Sequence, residues 1–148
     1  MAKLSFSAAV ANWVEKVEGA TEAVFKEASQ AIVEEMQTPT AEGGRMRIDT
    51  GFLRASLMAS TSAMPPIVKG KKPADGNTYD FDFGSIEAVI AGADIGDTLY
   101  FGYTAEYAGF REYGANEQAG DGFVRLAAQR WPTTVDRVAK DLKSRLGL

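Results

Sequence analysis

The sequence predicts an α+β domain: a small, mostly antiparallel sheet covered by a long N-terminal helix and a C-terminal helix, with short helical inserts. Three observations predict it. Apolar residues recur at three-and-four spacing over residues 6–36 and again over residues 123–146, the period of a helix with one buried face. Between these stripes lie short runs rich in aromatic, hydroxyl and small residues, punctuated by Gly, Pro and Asp in the manner of strands and turns. No segment repeats at the roughly 20–50-residue period of a solenoid or propeller. A chain of 148 residues has the usual size for one hydrophobic core, so residues 1–148 read as one domain.

The first stripe runs from Phe6 through Trp13, Val17, Val24 and Ile32 to Met36. Ser5 or Ser7 supplies a cap at its start, and Thr38-Pro39 ends it because proline lacks the amide proton of a further turn. Such a helix is about 45 Å long. A compact domain of this size is only about 38 Å across. The helix must therefore bend near Gly19 or send one end past the globule onto a neighbour.

Beyond Gly43-Gly44, Asp49 or Thr50 within the segment 48–57 caps a short apolar turn, which reads as a brief helix. Residues 57–63 read as a strand stopped by Pro65-Pro66. Residues 64–77, with Lys69, Lys71 and Lys72 among turn formers, read as an exposed basic loop. Residues 78–83 alternate aromatic and acidic side chains and predict a half-buried strand with Tyr79, Phe81 and Phe83 on one face. A helix capped by Ser85, with Glu87 in its first turn, ends near Gly92. Residues 98–103 form a second aromatic strand. Two helical turns over 105–113 are ended by Gly114 in a left-handed conformation, and a polar loop follows to Gly122. The C-terminal helix spans 123–146, with Pro132 kinking it or marking its true start.

Composition narrows the function. Cys and His are both absent, which removes the usual zinc, copper, iron–sulfur and haem ligands, the base of a catalytic triad and any disulfide. The first residues lack a secretory apolar run, and no stretch approaches the roughly 20 apolar residues that span a bilayer, so synthesis in the cytoplasm and no membrane partner are expected. The net charge of −4 is segregated: residues 1–35 carry −3, 36–74 carry +4, 75–121 carry −9 and 122–148 carry +4. Such alternation fits complementary protein surfaces better than the single basic face of a nucleic-acid binder.

Candidate chemistry is sparse. Gly70-Lys71-Lys72 lacks the upstream glycine, the following Ser/Thr and the helix of a phosphate loop. Asp80 and Asp82 share a strand face, and a hard cation would need further oxygen ligands to converge there. Asp94 and Asp97 flank Ile95-Gly96 in ordinary turn chemistry. A hydrolase using two carboxylates stays open, since such a pair meets only in three dimensions. No catalytic, cofactor-binding or metal residue is assigned, and the chain reads as non-enzymatic, with no cofactor.

One succession of motifs adds a resemblance. Gly96-Asp97-Thr98, the aromatic strand to Tyr103, Tyr107-Ala108, Glu112-Tyr113-Gly114, Gln118-Ala119 and Gly122-Phe123-Val124-Arg125 precede a helix with Trp131 in its first turns. Upstream stands Thr50-Gly51-Phe52-Leu53-Arg54-Ala55-Ser56. Over about two-thirds of the chain this resembles the neck and tail-completion (tail-component) proteins of long-tailed bacteriophages. The family often has Asn and Pro where this chain has Thr104-Ala105-Glu106, and Pro in place of Gly120, which predicts a more flexible loop from Gly114 to Gly122.

The resemblance implies a structural virion protein, assembled in the host cytoplasm. It would form a homo-oligomeric ring, commonly sixfold, that completes the tail or joins it to the head; the alternative within the same setting is a tail terminator that caps the tail tube. Implied partners are copies of itself, head-connector and tail-tube proteins, and DNA that passes through the lumen without sequence recognition. A ring needs two different complementary patches on each subunit, which the charge blocks can supply, and an acidic lumen would not hold DNA. Arg54 and Glu112 are expected to pair, tying the short capped helix to the Glu-Tyr-Gly turn. Tyr107, Tyr113 and Trp131 are expected as interface anchors, with Gln118 and Arg125 from the same motifs. The alternative reading is a non-phage regulatory protein that dimerises through the long helix.

Overall fold

The structure, a computed structural model, describes residues 6–147. The long helix α1 runs unbroken through Gly19, over Phe6–Gln37, and its buried residues are Ala28, Ser29, Val33, Met36 and Gln37. All lie in its last third. The C-terminal stripe forms two helices, α5 (Phe123–Gln129) and α6 (Trp131–Leu146). Pro132 sits in the first turn of α6, where a missing amide proton costs no hydrogen bond, so it marks a start.

Arg130, between the two helices, pairs with Glu35 at 2.8 Å, and Arg145 near the end of α6 pairs with Glu27 at 2.9 Å. The later cation meets the earlier carboxylate, so α6 runs back antiparallel along α1. It ends before α1 does: residues 6–16 lie beyond its reach and are exposed, apart from half-buried Ala8. Of the two ways to accommodate an overlong helix, the protein uses projection.

The middle of the chain supplies the other layer. A short helix α2 (Phe52–Ala55) leads into β1 (Leu57–Ser60), which pairs antiparallel with β2 (Tyr100–Tyr103) in the register Leu57 to Tyr103 and Met58 to Gly102. Helix α3 (Phe83–Gly92) precedes β2 and α4 (Ala108–Tyr113) follows it. Val33 and Met36 of α1, Met46, Leu53, Leu57, Ile86, Ile90, Tyr103, Phe123 and Ala127 form one core cluster. Tyr103 meets Phe123 edge-on at 5.0 Å, joining the sheet to α5.

Several expectations are corrected. Strand β1 stops at Ser60 rather than Ala63, because the Ser60 hydroxyl accepts from the amides of Ser62 and Ala63 and turns the chain. Residues 78–82 are not a strand. Their alternation does put Tyr79 and Phe81 inward and Asp80 outward, but the segment pairs with no strand: the Tyr79 amide donates to the Thr50 carbonyl at 2.8 Å. Asp82, not Ser85, caps α3 by accepting from the Gly84 amide at 3.0 Å. At α2 the cap position is Gly51, while Thr50 Oγ1 accepts from the Phe52 amide at 3.2 Å.

The polar loop after α4 is a small hairpin, β3 (Gly114–Ala115) with β4 (Gln118–Ala119), turned by Asn116 and Glu117 at φ 50° and 67°. Gly114 has φ 98° and ψ 160°, an extended mirror-image conformation rather than the left-handed helical one expected. A Cβ there would lie 2.5 Å from the Gln118 carbonyl oxygen, so the hairpin closes only over glycine. The segment from Gly114 to Gly122 thus contains a short hairpin.

Candidate assembly surfaces

The expected Arg54–Glu112 ion pair does not form. Glu112 ends α4 almost fully buried, 5% exposed, and its two carboxylate oxygens accept from the amides of Val124 and Arg125 at 2.9 and 2.8 Å. Those amides open α5, where backbone donors have no partner within the helix. Glu112 therefore caps a helix that follows it in sequence, and the buried charge is satisfied by the helix N-terminus. Arg54 instead lies over the Phe81 ring at 5.7 Å, with its buried Nε lacking a hydrogen-bond partner.

Between them sits a buried polar relay. Tyr103 donates its phenolic proton to Gln37 Oε1 at 2.6 Å, and Gln37 Nε2 donates to the Arg54 carbonyl at 2.9 Å. Burial pushes the Tyr103 hydroxyl far above its ordinary range, the charge of Glu112 pushes it further, and Arg54 pulls the other way. The relay ties α1, α2 and β2 together. Its hydrogen bonds make it a structural cross-tie.

A second cluster had no signal in the sequence. Asp121, its side chain 6% exposed, accepts from Arg47 Nε at 2.5 Å and from Arg111 Nε at 3.5 Å. Arg111 also donates to the Arg47 carbonyl at 2.8 Å. The hairpin is thereby clamped to the segment before α2. Beside it, Arg47, Phe110, Arg111 and Gln118 line a cleft of about 370 Å³ whose two guanidinium groups are already held by Asp121.

The remaining expected site residues divide. Tyr107 packs against Phe52, ring centres 6.4 Å apart, and partial burial raises its hydroxyl pKa, so it belongs to the core edge. Trp131 is half-buried at the start of α6. Tyr113, at 73% exposure, and the exposed Gln118 and Arg125 face solvent around the hairpin and α5. The motif residues therefore do not converge on one pocket. Asp94 and Asp97 make the expected turn, with Asp97 Oδ2 accepting from the Asp94 amide at 2.8 Å. Among the described residues, no group of three Asp or Glu is placed to hold a metal ion, and no helix is long and apolar enough to cross a membrane.

Two exposed apolar surfaces stand out, the first of them the projecting helix end that the sequence offers as one of two alternatives, the second without a signal in the sequence. One is the free arm of α1, where Phe6 is 86% and Trp13 62% exposed, with Val10 and Val14 beside them. This stripe continues the face that Val17, Ala20 and Val24 turn toward Ala139 and Leu142 of α6. The other is the outer face of the β1–β2 sheet. Met58 points away from the core opposite Gly102, and the chain from Met64 to Val68 crosses over Gly102, leaving Met58, Met64, Ile67 and Val68 about half exposed. Compared with known proteins, the chain matches no family model, no curated protein and no solved structure.

Proposed function

We propose that this chain is a structural subunit of a long-tailed bacteriophage neck or tail, one copy of a closed homo-oligomeric ring that completes the tail or joins it to the head. The observation that carries the reading is the free arm of α1, an amphipathic helix whose apolar stripe outruns its intramolecular partner. Phe6 and Trp13 each expose on the order of 150 Å² of apolar ring, a patch typical of protein–protein contact. The motif succession from Gly96 to Trp131 supplies the phage assignment, and the segregated charge blocks supply complementary edges for neighbouring subunits. On this reading the work is done by shape and surface, with the acidic middle of the chain available to line a lumen that DNA traverses without sticking.

Light scattering on size-separated protein, together with electron microscopy of phage particles lacking the chain, tests it. Rings of many subunits, and particles whose heads and tails separate or whose tails lose their fixed length, are expected. A discrete dimer and intact particles would overturn it in favour of the regulatory reading.

A further inference from the structure

The free arm and the outer sheet face are different apolar patches on one chain, and their charges are opposite. Residues 6–22, the arm and the turns where it joins α6, carry Glu15, Glu18 and Glu22 against Lys16, with Glu22 already paired to Lys26 at 3.0 Å, which leaves Glu15 and Glu18 as the acidic groups bordering the stripe. Residues 57–74, which form the sheet patch and its border, carry Lys69, Lys71 and Lys72 and no carboxylate. Lys71 is engaged with Thr104 Oγ1, whereas Lys69 and Lys72 are exposed. Glu18 lies one helical turn beyond Val14, at the edge of the apolar stripe.

We infer that the α1 arm of one copy docks on the outer β1–β2 face of the next, with Phe6, Val10, Trp13 and Val14 covering Met58, Met64, Ile67 and Val68, and Glu18 facing Lys69 and Lys72. The inference rests on the assembly reading above and names its contact. Sizes match: each patch exposes on the order of 400 Å² of apolar surface, so their union buries about 800 Å² before any polar rim, and a rim brings it to the roughly 1,200 Å² of a stable interface. Methionines suit the receiving face, because an unbranched side chain adapts to a helix ridge laid across it. Gly102 contributes by lacking a side chain: a Cβ there would lie 2.5 Å from the Pro65 carbonyl oxygen and lift the crossing segment off the sheet. Pairing two arms with each other would instead leave the sheet patch and the exposed Lys69 and Lys72 without a partner. A contact between unlike patches is head-to-tail, the geometry that generates rings.

The test uses the full chain and two variants, Trp13→Glu and Met64→Glu, both at exposed positions, with circular dichroism confirming that each folds. Sedimentation of each variant alone should show self-association weakened at least about 30-fold, the effect of removing an interface hot spot. Mixing the two should give a one-to-one heterodimer, since Trp13→Glu retains a good sheet face and Met64→Glu a good arm. Glu18→Lys should weaken assembly, and the added exchange of Lys69→Glu and Lys72→Glu should restore it. If Trp13→Glu alone dissociates and the mixture forms no heterodimer, the arms pair with each other and the inference is overturned. Wild-type oligomers insensitive to both variants overturn the inference and leave the assembly reading standing. A wild-type chain that is monomeric at every concentration overturns both.

Discussion

Replacing Glu112 by Ala isolates the cap on α5. The carboxylate is 5% exposed and holds two backbone amides at 2.9 and 2.8 Å, so its removal leaves two donors unpaired in a site that water barely reaches. A cap of this kind contributes about 1–2 kcal/mol in exposed helices, and charge-assisted bonds to buried donors raise that to about 3 kcal/mol here. For a chain of this length, about 3 kcal/mol corresponds to a fall of roughly 9–12 °C in Tm. Glu112→Gln is the sharper probe. It preserves volume but sets its NH2 group against one amide donor, so about 2 kcal/mol should still be lost. Urea unfolding followed by circular dichroism and by tryptophan fluorescence measures both; Trp131, half-buried beside α5, carries the fluorescence change, because Trp13 is already exposed. A Gln variant within about 0.5 kcal/mol of wild type would refute the cap, since that is the ordinary scatter of surface substitutions. The same experiment with Arg54→Met separates the cap from an ion pair. Additive losses support the cap, and a double variant no worse than Glu112→Ala alone would restore the pairing.

Gly114→Ala should destabilise the fold by about 2–4 kcal/mol in the same urea assay, because its φ of 98° and the 2.5 Å approach to the Gln118 carbonyl exclude a Cβ; a loss below about 0.5 kcal/mol would mean the hairpin is not closed in solution. Tyr103 is raised by burial, so the unfolded chain releases this proton near the ordinary tyrosine pKa of about 10 while the folded chain keeps it. Its contribution is therefore complete below about pH 10 and is lost as pH rises further, and Tyr103→Phe should flatten that alkaline decline in stability by about one proton while lowering stability at neutral pH through the orphaned Gln37 oxygen. Assembly through complementary charge should weaken between about 0.05 and 0.5 M salt, where the Debye length shrinks below the reach of opposed surface charges; oligomers whose sedimentation is constant over that range would remove the electrostatic part of the argument.

The helices were legible because one side of each must meet a core: Phe6 to Met36 and Phe123 to Leu142 repeat at the helical period whatever they pack against. Pro132 was legible for a similar local reason. The segment at Tyr79 to Phe83 misled because alternation records which side faces inward and says nothing about a neighbouring strand; here the backbone reaches Thr50 and then enters α3. The hairpin at Gly114 was invisible, since Asn116-Glu117 lacks the glycine that usually announces such a turn and only two residue pairs follow. Among the site residues, Glu112 is a charge with structural work to do, as the sequence suggests, but its partner is not Arg54. Its actual partners are backbone amides, which every residue carries and no sequence distinguishes. Asp121 and Arg47 meet across 74 positions, and nothing in the sequence around either foretells it.

The arm of α1 has a consequence for hydrogen exchange. A helix of about ten residues without a packed face is marginal in water, so the amides at its free end open by fraying at almost no cost. Those around Val33, enclosed by α3, α5 and the core, open only when the whole domain does. One continuous helix therefore carries a steep gradient of protection from end to end. Whatever covers the free end must also freeze it, so the ordering entropy of those turns is charged to the encounter, and the complex is more selective and faster to dissociate than its buried area alone implies.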